Sequence, residues 1–265
     1  MSDAGAFFLL DGERLVPTVL TRGPWSPVHQ HGGPPSAVMA RAIEQVAGEP
    51  DSLQMTRFTV DFVRPVPMEP LTVSVEQVRD GRRARGYAAV LSAGGKAVAR
   101  ATALVVRTEP ATPPPTPAQE PLRPPPGEAA PFQFPFFRDL LGYHTGVETR
   151  LARGTFGSGR AAVWMRLRVP LVLGEAPSPA QRVLTMADSG SGVGAALDPE
   201  RFVPFVNADL TVSLHRLPDG DWIGLDAVTA LGCHGIGLTR TGLYDERGPI
   251  GEGLQSLVVG QPVAR

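Results

Sequence analysis

The sequence predicts an α+β protein built from two copies of one helix-and-meander unit, and three observations carry that reading. A run from residue 110 to 126, PATPPPTPAQEPLRPPP, has nine prolines in seventeen positions and divides the chain. On each side of it, one amphipathic helix pattern precedes several alternating strand patterns. The two sides also overlay. DFVRPVP (61–67) falls on SLHRLP (213–218) with Arg64 on Arg216, and GGKAVARATALVV (94–106) falls on RGPIGEGLQSLVV (247–259). A self-similar unit at fixed spacing argues for duplication. One helix cannot bury both faces of two sheets, so each sheet is expected to wrap its own helix, with the sheets joined edge to edge.

The elements follow in order. Short apolar stretches lie near Phe7 to Leu10 and Leu15 to Val19. In HGGPPSAVMARAIEQVAG, Gly32 and Gly33 allow a tight entry and Pro34 and Pro35 suit a first helical turn. Met39, Ala42, Ile43, Val46 and Ala47 keep helical spacing, and Gly48 is a stop. The period then changes to two at Phe58, Val60 and Phe62, and again at Leu71, Val73 and Val75. Tyr87 to Leu91 and Ala97 to Val106 continue the strands, with Asp80-Gly81 and Gly94-Gly95 as turns. The proline run has few backbone donors and fixed φ, so an extended linker is expected over 109–131, between a first unit at 1–108 and a second at 132–265. In the second unit Ser178 caps and Pro179 opens a helix through Val183, Leu184 and Ala187. Strands are expected around 208–214, 222–230, 237–244 and 253–259, with residues 245–248 in the place of the Gly94-Gly95 turn.

Composition narrows the function. The formal net charge is −1 and no basic block occurs, which argues against a nucleic-acid partner or an anionic membrane surface. No apolar run approaches membrane-spanning length, and Met1 to Gly12 has no basic start, so a cytoplasmic protein is expected. The single cysteine, Cys233, excludes an internal disulfide and a cysteine zinc site, and it reads as a small packed thiol. His29 and His31 lack neighbouring carboxylate or cysteine ligands, so no metal is expected. GSGVGA (190–195) fits a dinucleotide fingerprint formally, but it follows a helix rather than a strand. Ser189 stands where G-x-S-x-G needs its first glycine, which removes a serine-hydrolase elbow at Ser191.

Five stretches, HGGPPSAVMARAIE, FTVDFVRPVP, PSPAQRVLTMADSGSG, NADLTVSLHR and GLQSLVV, together resemble the acyl-CoA thioesterase II family over nearly the whole chain outside the proline run. The resemblance implies a double hotdog, hydrolysis of acyl-CoA thioesters without metal or organic cofactor, and a homo-oligomer, dimer or tetramer. In that family an aspartate, a threonine or serine, and a glutamine activate the attacking water. By resemblance the aspartate is Asp188 and the glutamine Gln255, while the hydroxyl position falls on Asn207. Thr211, four residues on, is the other candidate, since a regular strand would put it on the face of Asn207 and Asp209.

Each candidate has a structural alternative. Asp188 also suits an Asx turn before SGSG, and Gln255, laid over Thr102 of the first unit, also suits the solvent face of an alternating strand. Gly32 and Gly33 would offer N–H groups to a developing oxyanion at a helix N-terminus, or simply permit a tight turn. His31 stands beside them as a substrate contact. Arg82, Arg83 and Arg85 would meet CoA phosphates, or form a solvated turn. A hydratase needs an Asp/His pair on one loop, which the sequence lacks. The non-enzymatic alternative is a hotdog that binds acyl-CoA or another apolar ligand, and the missing hydroxyl at Asn207 favours it.

Overall fold

The structure, a computed structural model, describes residues 5–48, 52–112, 114, 120–196, 201–202, 205–260 and 263–264. The first half contains β1 (Phe8–Asp11), β2 (Arg14–Pro17), α1 (Gly33–Ala47), β3 (Leu53–Phe62), β4 (Leu71–Asp80), β5 (Ala84–Ala93) and β6 (Lys96–Arg107). The second contains β7 (Ala130–Pro131), α2 (Tyr143–Gly146), β8 (Val147–Thr155), β9 (Arg160–Leu167), α3 (Pro179–Ala187) and α4 (Gly190–Val193). It continues with β10 (Arg201–Phe202), β11 (Phe205–Asn207), β12 (Asp209–Leu214), β13 (Ile223–Leu231), β14 (Ile236–Asp245), β15 (Gly248–Val259) and β16 (Val263–Ala264). Apart from the small β10–β16 pair, the strands form one antiparallel sheet in the order β1-β2-β4-β5-β6-β3-β12-β15-β14-β13-β9-β8-β7, with β11 paired to β15. The expected edge-to-edge joint is the β3–β12 pair, and the fold is a double hotdog.

The joint fixes the internal symmetry. Thr211 lies opposite Thr59, its own counterpart in the duplication, and the two hydroxyls hydrogen-bond at 3.1 Å. Asp209 opposite Asp61 and Ser213 opposite Arg57 flank that pair evenly, so a pseudo-twofold axis passes through the two threonines. Further along, the sequence overlay needs a one-residue correction. Thr102 pairs with Thr59 and Leu254 with Thr211, so Leu254 is the counterpart of Thr102, and Ala103 is that of Gln255. The shared LVV triplets had drawn the overlay out of the hydrogen-bonded register.

α1 and α3 pack antiparallel. A Cβ on Gly33, at the start of α1, would lie 2.1 Å from the Thr185 carbonyl near the end of α3, so only glycine permits this approach. At the other end the Glu44 carboxylate accepts from Ser178 Oγ at 2.7 Å and Gln181 Nε2 at 2.6 Å. Ser178 also caps α3 by accepting from Gln181 N at 3.1 Å, as its sequence position predicts. Gly48 ends α1 with φ 66°, a left-handed conformation that suits glycine. Met39 and Ile43 point into the core with Phe58, Val60 and Leu91, while Val46 of the same stripe stays exposed.

Two sequence readings change here. The proline run is not extended linker to its end: Leu122 is buried against Trp164, and the Pro124 and Pro126 carbonyls accept from Trp164 Nε1 and Arg150 Nη1. A buried leucine and an indole N–H that needs an acceptor outweigh the proline content there. β8 and β9, which the sequence reading passed over, extend the second sheet beyond β13.

Candidate active site

α3 ends at Asp188, and α4 follows after a single turn. Gln255, wholly buried on β15, holds that turn from beneath. Its Nε2 donates to the Asp188 carbonyl at 3.0 Å, and its Oε1 accepts from Ser191 N at 2.8 Å. Gln255 Nε2 lies 3.5 Å from Asp188 Oδ1, at the limit of a hydrogen bond. The solvent-facing alternative for Gln255 is therefore wrong: the residue faces inward, and its amide fixes the backbone that carries the carboxylate.

The Asp188 carboxylate is itself buried, with two side-chain partners. Asn207 Nδ2 donates to Oδ1 at 2.8 Å, and His31 Nδ1 lies 3.1 Å from Oδ2. Asn207 reaches Asp188 because of a β-bulge. Asn207 pairs with Leu257 but Thr211 with Leu254, so one extra residue sits on the β11–β12 side. The extra residue reverses the alternation, and Leu210, Val212 and Leu214 point inward while Thr211 does not. Thr211 therefore does not share the face of Asn207, and its hydroxyl is used at the pseudo-twofold axis. The first half has the same bulge between Met55 and Arg57.

His31 joins the site from the loop before α1. Its Nδ1 also stands 3.1 Å from the Gly33 N–H, so one nitrogen has two contacts that need opposite protonation. As an acceptor it takes the Gly33 N–H, and as a donor it serves Asp188. Burial holds the imidazole below its ordinary pKa of 6.5, against the pull of Asp188, so the ring is neutral at pH 7. The ring lies flat on Tyr143, with centroids 3.8 Å apart and planes 3° apart. Tyr143 OH donates to the Thr185 carbonyl at 3.0 Å and meets Ser189 Oγ at 3.0 Å. Burial pushes the phenol far above its ordinary range, so it stays protonated.

Of the two glycines, Gly33 has its N–H engaged by His31 and is required by helix packing. Gly32 is different: it lines the cavity, a Cβ there would stand 2.9 Å from Asp188 Oδ2, and its N–H has no partner among the described residues. That cavity has a volume of about 380 Å³. Asp188, His31 and Asn207 form its polar floor, and Trp25, Phe62, Phe134, Phe136, Phe137 and Phe205 supply most of its apolar wall. Trp25 meets Phe136 and Phe205 at 5.3 and 5.5 Å, so the first half and the post-linker segment close over it together. Tyr143, Ser189 and this aromatic wall escaped the sequence reading, although the dense FQFPFF run at 132–137 was a visible signal. Among the described residues no group of His, Cys, Asp or Glu is arranged to hold a metal ion.

Models of two families match the chain in tandem: the acyl-CoA thioesterase N-terminal domain over residues 21–106 and the acyl-CoA thioesterase C-terminal domain over 108–259. The chain belongs to the acyl-CoA thioesterase family. This thioesterase is similar over its whole length to solved structures. A conserved hot dog protein of unknown function from Alicyclobacillus acidocaldarius is 21% identical, with a TM-score of 0.74 and 98% of each chain covered. An acyl-CoA thioesterase II from Mycobacterium marinum is 18% identical, with a TM-score of 0.65, covering 96% of this chain and 95% of the other. At such identities the likeness speaks for the fold. No curated protein matches the chain in sequence.

Proposed function

We propose that this thioesterase hydrolyses acyl-CoA by water activated at Asp188, with the acyl group in the aromatic cavity. The observation that carries the reading is a buried carboxylate on the floor of an apolar cavity, held on one oxygen by Asn207 and facing His31 on the other. Water on that floor would lose its proton to Asp188 as it attacks the thioester carbonyl. The protonated carboxyl would then compete with the Gly33 N–H for the single lone pair of the neutral His31 Nδ1, 3.1 Å from each. The Gly32 N–H, at the N-terminus of α1, would meet the oxyanion, and the thiolate of CoA would leave with the proton. Gln255 takes a positioning role, since its amide is spent on the Asp188–Ser191 backbone.

The same hydrogen bonds support one other reading, a ligand-binding hotdog without turnover. Asn207 supplies no hydroxyl, and both amides at the site are engaged with protein atoms. Thiol release from short, medium and long acyl-CoAs separates the two. Release that is lost in folded Asp188→Asn supports hydrolysis, and saturable binding with no release at any chain length supports the ligand-binding reading.

A further inference from the structure

Arg64 and Arg216 are twins of the duplication, each two residues past the C-terminal end of a central strand, β3 or β12, and they differ in their partners. Both keep one bond to the equivalent carbonyl: Arg64 Nη1 donates to Ala97 O at 2.7 Å and Arg216 Nε to Pro249 O at 3.1 Å. Arg216 is then locked in place, donating to both oxygens of the buried Asp245 at 2.5 and 2.6 Å and to Gly248 O at 3.0 Å. The turn register makes Ala93 the counterpart of Asp245, because Ala93 pairs with Lys96 as Asp245 pairs with Gly248. Arg64 thus has no carboxylate in that place, and among the described residues it forms no ion pair. It stands exposed on the rim of the aromatic cavity, which Val206 and Asn207 also line. A guanidinium has five N–H donors in a planar fork that matches phosphate, and most of those on Arg64 are unused.

We propose that Arg64 is the subsite for a phosphate of the thioester's carrier. The assignment rests on the hydrolytic reading, in which the acyl group lies inside and the pantetheine arm runs out past the rim. Two carriers share this chemistry: CoA, with its nucleotide phosphates, and a carrier protein, with the phosphodiester of its phosphopantetheine. The arginine turn at residues 82–85 is a poorer site. Arg83 pairs with Glu109, and Arg85 donates to Ala47 O at the far end of α1, about 22 Å from the cavity along a helix of that length.

The test is calorimetric binding of free CoA, 4′-phosphopantetheine and pantetheine to the wild-type protein, Arg64→Gln and Arg64→Lys. Turnover is not needed, so a failure to hydrolyse any thioester sinks the hydrolytic reading without obscuring this result. Arg64→Gln is expected to weaken CoA about tenfold, with pantetheine unchanged and Arg64→Lys in between. An equal loss for 4′-phosphopantetheine assigns the contact to the pantetheine 4′-phosphate, which both carriers share, and a loss confined to CoA assigns it to the nucleotide. The proposal is overturned if CoA binds wild type and Arg64→Gln equally, if pantetheine loses as much as CoA, or if wild type binds no CoA.

Discussion

At the scale of the residue, the carboxylate of Asp188 is set by two side chains with separable roles. Asn207→Ala removes the donor to Oδ1 and leaves a buried carboxylate short of a hydrogen bond. It is expected to lower kcat by about tenfold to a hundredfold with little change in KM, measured by steady-state thiol release. His31→Phe keeps the stack on Tyr143 but removes the nitrogen facing Oδ2. Its expected mark is a change in the shape of the pH–rate profile, beyond a lower rate; an unchanged profile would make His31 a packing residue only. Elsewhere, Asp245 is a buried carboxylate whose pKa burial raises. Its bonds from Arg216 and from the N–H groups of Asp219 and Arg247 outweigh that and lower it overall. A lowered folded pKa gives stability that is present above the ordinary carboxylate value and lost as pH falls through the folded one. Thermal melts are therefore expected to drop below about pH 4, and Asp245→Asn to flatten that drop. Arg216→Gln strands the charge and is expected to cost about 3 kcal/mol, roughly a 10 °C fall in Tm.

At the scale of the element, the two helices meet where glycine allows it. Gly33→Ala forces a methyl against the Thr185 carbonyl and is expected to destabilise by about 2 kcal/mol or more, read as a lower urea midpoint. The same geometry shows what the sequence could disclose. Caps, helix starts, the alternating strands and the Arg64–Arg216 overlay were legible, because each depends on neighbours close in the chain. The bulge that turns Asn207 inward and Thr211 outward was not, since one extra residue leaves no local signal while it inverts every side chain beyond it. β8 and β9 were hidden because LARGTFGSGRAAVW alternates weakly and carries glycines. Tyr143 was invisible for another reason: its stack on His31 joins residues more than a hundred positions apart. Asp188 and Gln255 became candidates through the family likeness, and the alternation of β15 left the face of Gln255 open because Leu254 and Leu257, on either side of it, face opposite ways.

At the scale of the molecule, the two halves of the duplication differ at the candidate site. Aligning Pro35 with Pro179 sets Glu44 on Asp188, and the strand register sets Met55 on Asn207 and Ala103 on Gln255. Two of these three are apolar, so the twin position lacks the amides that surround Asp188. Glu44 instead ties the helices together. Burial raises its pKa, against the hydrogen bonds from Gln181 and Ser178. A raised folded pKa gives stability that is full below the unfolded value near 4.5 and falls as pH climbs through the folded one. Glu44→Gln is expected to remove that decline in melts from pH 4 to 8 while leaving thiol release unchanged.

The most direct test of the account is thiol release from an acyl-CoA series by the native protein and by Asp188→Asn, each shown to be folded by its melting curve. The account predicts turnover by the native protein and a loss of at least a hundredfold in Asp188→Asn, at unchanged fold. Turnover that survives in Asp188→Asn would contradict it, because the water would then be activated elsewhere.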